Sequence, residues 1–322
     1  MRRLLVFLLL FFAVTMDLVA ESRLRAIINW VDSADVAGAD TSYIRWPKEG
    51  FIAAFNTNFV KSRMLLDING LNNDNNQEYD GNISSRLTTL FSVGLSYRGW
   101  GLSYSRDFSG SKDEEFSFST YGQTYGAEFH IRNSHSFTGT IENAAHPEQI
   151  MEVKPNEFHQ RLYSGNVYYV FNHTRFSLPA ALSQTVIQRR SAGSWLALIS
   201  YYRSIVKFEN NVFNKLTTTQ FSVGGGYAYN LVFNNERCLL HTSLMPSVMV
   251  YYHNHLYHLS EKSSLSQQFS VDGLAHISFV YNLSKYLCGT SMVYNVSWSN
   301  LTKDLSIVDL NWSARVFIGV RF

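Results

Sequence analysis

Few residues of this 322-residue chain are spaced for chemistry, and each group that is has a plain structural alternative. His276 and Ser278 stand two apart, which puts both side chains on one face of a strand. An imidazole placed there could take the hydroxyl proton during cleavage of a lipid ester. The pair shares its face with Asp272, however, while Ile277 and Phe279 point the other way, so hydrogen bonding is the ordinary role for His276. His258 and Ser260 repeat the spacing in a stretch that reads as loop. In YYHNHLYH at 251–258, His253 and His255 would share a face, and His258 could fold back as a third imidazole ligand to a metal. No carboxylate or thiolate in the run completes such a site. Glu128 and His130 also share a face and could hold a proton or an ion, or form part of a hydrogen-bonded network. Gln188, Arg189 and Arg190 make a small basic group that could meet an anionic partner or peptidoglycan, or be a solvated helix end. None of these patterns suffices to assign a catalytic, cofactor-binding or metal-binding residue.

Other signals are weaker still. GGG at 224–226 lacks the Lys-Ser/Thr of a phosphate loop; inside a strand it permits tight curvature or close approach by a helix. Cys238 and Cys288 fall near the starts of two strands with another between them. That separation is about 9.6 Å, beyond disulfide reach.

The elements that position these residues are strands. Lys and Arg total 27 against 25 for Asp and Glu, a net charge of +2, which argues against a nucleic-acid-binding surface. Charged residues are only 16% and aromatics reach 15%. A mean hydropathy of −0.10 excludes a polytopic helical membrane protein. Arg2 and Arg3 precede an apolar run from Leu4 to Val14, and Ala20 offers a cleavage point, so residues 1–20 read as a secretory signal peptide.

The last residues alternate strictly: Trp312, Ala314, Val316, Ile318, Val320 and Phe322 on one side, Ser313, Arg315, Phe317, Gly319 and Arg321 on the other. The same pattern runs through 87–97, 100–105, 121–131, 221–230 and 271–281, with Tyr121 placed on the apolar side. Large apolar residues outside and small polar ones inside describe a barrel in lipid; a soluble antiparallel sheet is the alternative. Only a closed sheet satisfies every backbone group in hydrocarbon. Upward strands are expected near 51–68, 100–108, 136–142, 194–204, 238–251 and 286–298. Downward strands are expected near 87–97, 116–131, 161–171, 219–230, 267–281 and 309–322. Short periplasmic joints follow at 98–99, 132–135, 230–237 and 282–285.

Residues 177–191 read either as a helix between strands 6 and 7 or as an extra strand pair. Leu178, Leu182 and Val186 have helical spacing, Ser177 can cap, Pro179 suits the first turn and Gly193 can stop it. With the helix, the fold is an all-β transmembrane antiparallel barrel of about twelve strands. The barrel spans 51–322. Residues 21–50, with Leu24, Ile27, Ile28, Trp30 and Val31, form a periplasmic tail or a plug.

Several phrases carry a resemblance: DTSYI at 40–44, SYRGWGLSYS at 96–105, QRRSAGSW at 188–195, GYAYN at 226–230 and VYN at 280–282. Together they resemble the Bacteroidetes outer-membrane-barrel family known as domain of unknown function 4421, over roughly residues 40–322. The resemblance implies location and fold, and no activity. The strand ending at Phe322 looks like the assembly signal of bacterial outer-membrane barrels. The surroundings of His276 and Ser278 do not reproduce the HxSNG pattern of the lipid-cleaving phospholipase barrels.

The expected function is therefore a non-enzymatic narrow channel or surface scaffold in the outer membrane of a Gram-negative bacterium, without cofactor. The alternatives are a lipid-modifying enzyme or an adhesion module acting through the outer loops. Expected partners are outer-membrane lipids, lipopolysaccharide and, through Phe322, the barrel-assembly machinery; nucleic acid is not one. The oligomeric state is not legible.

Overall fold

The structure is a computed structural model, and it describes residues 38–69, 78–143, 146–154, 157–208, 215–258, 261–265, 269–302 and 305–322. The expected signal peptide, residues 21–37 of the tail and Ser260 lie outside the described residues.

In chain order the strands are β1 (Ile44–Arg45), β2 (Phe51–Asn69), β3 (Glu78–Ser85), β4 (Thr88–Tyr97), β5 (Trp100–Asp107), β6 (Glu114–Tyr121), β7 (Tyr125–Ser134), β8 (Phe137–Asn143), β9 (His146–Val153) and β10 (Phe158–Val170). After the helix α1 (Leu178–Leu182) come β11 (Ile187–Gln188), β12 (Ala192–Phe208), β13 (Lys215–Phe233), β14 (Cys238–His258), β15 (Glu261–Leu265), β16 (Phe269–Leu283), β17 (Tyr286–Thr302) and β18 (Leu305–Arg321).

Twelve of these, β2, β4–β7, β10, β12–β14 and β16–β18, form a closed antiparallel wall. The seam is the pairing of β18 with β2, from Leu305↔Ile68 to Arg321↔Ile52. Phe51 and Phe322 exchange backbone hydrogen bonds of 3.2 and 3.1 Å at its end, and their rings stack at 5.7 Å.

The outside is apolar. Val93, Leu95, Leu102, Val167, Ile199, Leu244, Val248, Ile277, Val316 and Ile318 are all exposed on the wall. Aromatic pairs ring it near one end, among them Trp195–Tyr227, Tyr125–Tyr169 and Phe51–Tyr97, and near the other, such as Tyr201–Phe221 and Phe91–Phe108. A closed wall with an apolar belt between aromatic girdles belongs in a bilayer, and such barrels stand in the Gram-negative outer membrane. Short turns mark the periplasmic end. There Arg98 and Gly99 have φ of 46° and 88°, the mirror-image turn that a two-residue hairpin needs and that glycine takes without strain.

The strand total of twelve stands, but two of its members change. The stretch 116–131 is two strands, β6 and β7, joined by a turn at Gly122–Thr124. That turn reverses the face, so Tyr121 points inward. Segment 136–142 corresponds to β8, which is not a wall strand: it pairs with β3. Accordingly 132–135 lies at the outer end, where β7 finishes and the link to β8 begins, and is not a periplasmic joint. β4 to β7 are only 8–10 residues long, whereas β12 to β14 run to 17–21. β3 takes up the free outer edge of β2 above β4, and β8 and β9 follow it, raising the low side of the wall. Ile83 and Phe137 of this upper tier pack on Phe158 and Val206. Asp113 ties the tiers together, accepting from the His135 amide at 2.7 Å, the Ser136 hydroxyl at 2.9 Å and the Thr88 hydroxyl at 3.2 Å.

The helix is also corrected. It lies between β10 and β11 rather than between β6 and β7 of the full strand count, and five residues, not 177–191, are helical. The strands flanking the segment, β10 and β12, are the sixth and seventh staves of the wall. Ser177 caps the helix as expected, accepting from the Ala180 amide, and Pro179 sits in the first turn. The helix stops because Gln184 takes a positive φ of 55°, long before Gly193.

Candidate lumenal site

Segment 171–191 enters the periplasmic mouth of the barrel. Phe176 is 0% exposed, and with Leu178 it packs on Tyr121, Tyr168, Leu196, Leu198, Met245 and Leu274 from the wall. Ala180 and Ala181 fit against Ile52, Leu239, Val280, Leu287 and Phe317. Small residues on the helix let it approach the wall closely; burying Phe176 or Leu178 contributes about 1.5–3 kcal/mol each.

Polar groups fix this plug in place. Gln188, 1% exposed, accepts from the Ser177 amide (2.8 Å) and the Asn230 side chain (3.2 Å). Its amide nitrogen donates to the carbonyls of Arg175 (2.6 Å), Arg190 (3.0 Å) and Tyr43 (3.4 Å). Arg321, also 1% exposed, donates to the carbonyls of Gln184 and Ser284 at 3.0 Å. Ser278 donates to the Ala181 carbonyl at 3.2 Å. β1 pairs with β11, and Arg189 meets Glu236 at 2.9 Å. Asp40 closes a turn by accepting from the Ser42 hydroxyl and amide, which hold its carboxyl below the usual range.

Above the plug lies a chamber of about 200 Å³ with Ala181, Leu182 and Phe317 in its floor. Alternation along β6, β7, β10 and β12 turns a row of polar side chains into it. Arg132 donates to Glu115 at 2.6 Å, and His130 lies 3.3 Å from the other oxygen of that carboxylate. His130 is in turn 4.0 Å from Glu128. Glu128 accepts from the Tyr121 and Tyr168 hydroxyls, both at 2.5 Å, and from Asn166 at 2.8 Å. Ser200 continues the chain by donating to Asn166 at 2.7 Å. The far side carries Asp272, His276, Asp309 and Arg315. Asp272 accepts from the Ser222 hydroxyl. His276 is 4% exposed, and among the described residues its Nε2 has no hydrogen-bond partner. Toward the outer end, Met249, Tyr252 and Ile307 form an apolar cluster over the chamber.

The wall brings some of the sequence candidates together and scatters others. Glu128 and His130 meet in one network, to which sequence reasoning did not add Glu115, Arg132 or Asp309. The missing signal was available, since each is a charged residue on the polar face of an alternating strand. His276 and Ser278 both point inward, away from lipid-facing Ile277. His253 is half-buried on β14; the side chains of His255 and His258 lie outside the described residues. Among the described residues no group of three metal-ligating side chains gathers. Gln188, Arg189 and Arg190 do not cap a helix but hold the plug. Cys238 and Cys288 are free and flank Tyr281, one on each neighbouring strand. At Gly224 and Gly226 the close approach comes from β14, not the helix: a Cβ would collide with the carbonyls of Pro246 and Leu244.

The model of one protein family matches residues 38–322, the whole barrel with its plug. This chain belongs to that family, described as Domain of unknown function (DUF4421). No curated protein sequence matches this DUF4421 member. Among solved structures it is similar to the outer membrane protease OmpT from Escherichia coli, at 8% identity over 86% of this chain and 97% of that one, with a TM-score of 0.40. It is similar to the β domain of the Bordetella autotransporter BrkA at 12% identity, over 85% and 100% of the two chains, TM-score 0.36. The outer membrane protein OprG from Pseudomonas aeruginosa matches at 10% identity, over 88% and 99%, TM-score 0.31. At these scores the likenesses are of outline.

Proposed function

We propose that this DUF4421 barrel is a non-enzymatic scaffold whose lumen is shut at the periplasmic mouth, rather than an open narrow channel. The observation carrying this reading is the plug: Phe176, Leu178, Ala180 and Ala181 are fully buried inside the wall. A solute crossing the barrel would have to displace that packing together with the Gln188 and Arg321 hydrogen bonds. Against lipid cleavage, the hydroxyl of Ser278 is engaged by the plug and faces away from the bilayer. The upper tier, β3, β8 and β9, offers partners a surface beyond the membrane. Lipid and lipopolysaccharide surround the belt, and the terminal strand with Phe322 presents the exposed end that barrel-assembly machinery would read.

The deciding measurement is conductance in planar bilayers. The intact chain is expected to be silent, and a variant with 178–184 replaced by a Gly/Ser linker is expected to show open steps. Open steps from the intact chain would end the plugged reading. Hydrolysis of phospholipid by the purified protein, abolished in Ser278→Ala, would favour the enzyme instead.

A further inference from the structure

We propose that the lumenal chamber binds a small free oxyanion, a solute bearing a carboxylate or phosphate, through Arg315 and His276. This rests on the plugged-barrel reading, because an open aqueous pore would screen both groups.

Three observations carry it. His276 lines the chamber and is 4% exposed, yet its Nε2 has no hydrogen-bond partner among the described residues. A buried polar atom left unmet costs about 1–3 kcal/mol, so an orphan aimed into a cavity marks a place where a ligand atom would be stabilised. Arg315, one register step closer to the plug and two strands away, opens into the same chamber with no ion pair among the described residues. The nearby carboxylates are already engaged: Glu115 by Arg132 and His130, Glu128 by two phenols and Asn166. Ser291 and Ser313 line the wall between the two groups and offer hydroxyl donors. The remaining acids, Asp272 and Asp309, sit four and six residues further out on the same strands. A guanidinium and an imidazole on one side of the chamber suit an oxyanion. A lipid headgroup outside the wall does not reach them.

The test uses the full chain in detergent micelles with ¹⁵N-labelled histidine, titrated with inorganic phosphate and, separately, acetate. At least one is expected to shift the His276 resonance saturably at millimolar concentration, corresponding to about −4 kcal/mol. The His241 resonance is the internal control: its Nε2 is also bare, but it lies against Phe176 and Asn230 beside the plug. Arg315→Gln is expected to weaken binding about tenfold or more. No saturable shift, equal affinity in Arg315→Gln, or a shift only when phosphatidylglycerol is added to the micelles would overturn the proposal. The wild-type comparison of His276 with His241 decides even if the variant does not fold. A silent barrel without anion binding sinks this site alone, whereas conductance by the intact chain sinks the plug.

Discussion

At the residue scale, the lumen is organised by a few buried polar side chains that satisfy several partners each. Gln188 alone meets two donors and three acceptors, so Gln188→Leu would strand the Ser177 amide, while Asn230 keeps its bonds to the Ser177 carbonyl and His241. The expected loss is about 2–4 kcal/mol, read as faster protease cleavage within 171–191 and a lower unfolding midpoint. His135, in the link between β7 and β8, is pushed below its ordinary 6.5 by partial burial and by neighbouring His159. As pH falls through about 6.5 the unfolded chain takes the proton first and binds more protons than the folded one. The contribution is thus complete above that pH and is lost below it. Hydrogen-exchange protection factors in β3 and β8, taken relative to the slower intrinsic exchange at low pH, are expected to fall between about pH 7.5 and 5.5, and His135→Gln to flatten that change.

At the scale of elements, the plug and the upper tier are what distinguish this barrel from a bare cylinder. Asp113→Ala removes three hydrogen bonds at the junction of the tiers, and is expected to loosen β3 and β8 while leaving the β18–β2 seam protected from exchange. The helix also shows where pattern reading stops. Leu178 and Leu182 are at helical spacing and do lie on α1, but Gln184 breaks the run and Gln188 spends its side chain on backbone groups of other segments. The 116–131 stretch misleads for another reason. Tyr121 and Tyr125 are four apart, so alternation looks unbroken although a three-residue turn has reversed both the strand and the face. β8 could not be told from a wall strand, because its alternation is the same whether its neighbour is β3 or the barrel.

At the scale of the whole molecule, the belt sets the solvent. Ile277→Lys places an ammonium on the lipid face near the middle of β16 and is expected to destabilise the barrel by about 2–4 kcal/mol, seen as a lower urea midpoint in liposomes. A β-rich circular-dichroism spectrum that persists only with detergent or lipid is the matching expectation for the intact chain. Solubility in plain buffer with a helical spectrum would contradict the fold.

Alternation by itself determined the strands and which face of each is apolar, because side-chain direction in a strand is a local consequence of backbone geometry. Arg315, Asp272, Glu128, His130 and His276 were legible as inward for the same reason. Only the closed structure decided which inward groups meet: Glu115 with Arg132 and His130, Glu128 with two tyrosines, Arg315 near a bare His276. Those pairings depend on register and on closure between strands far apart in the chain, as does the docking of a five-residue helix into the mouth. Local periodicity carries no record of either.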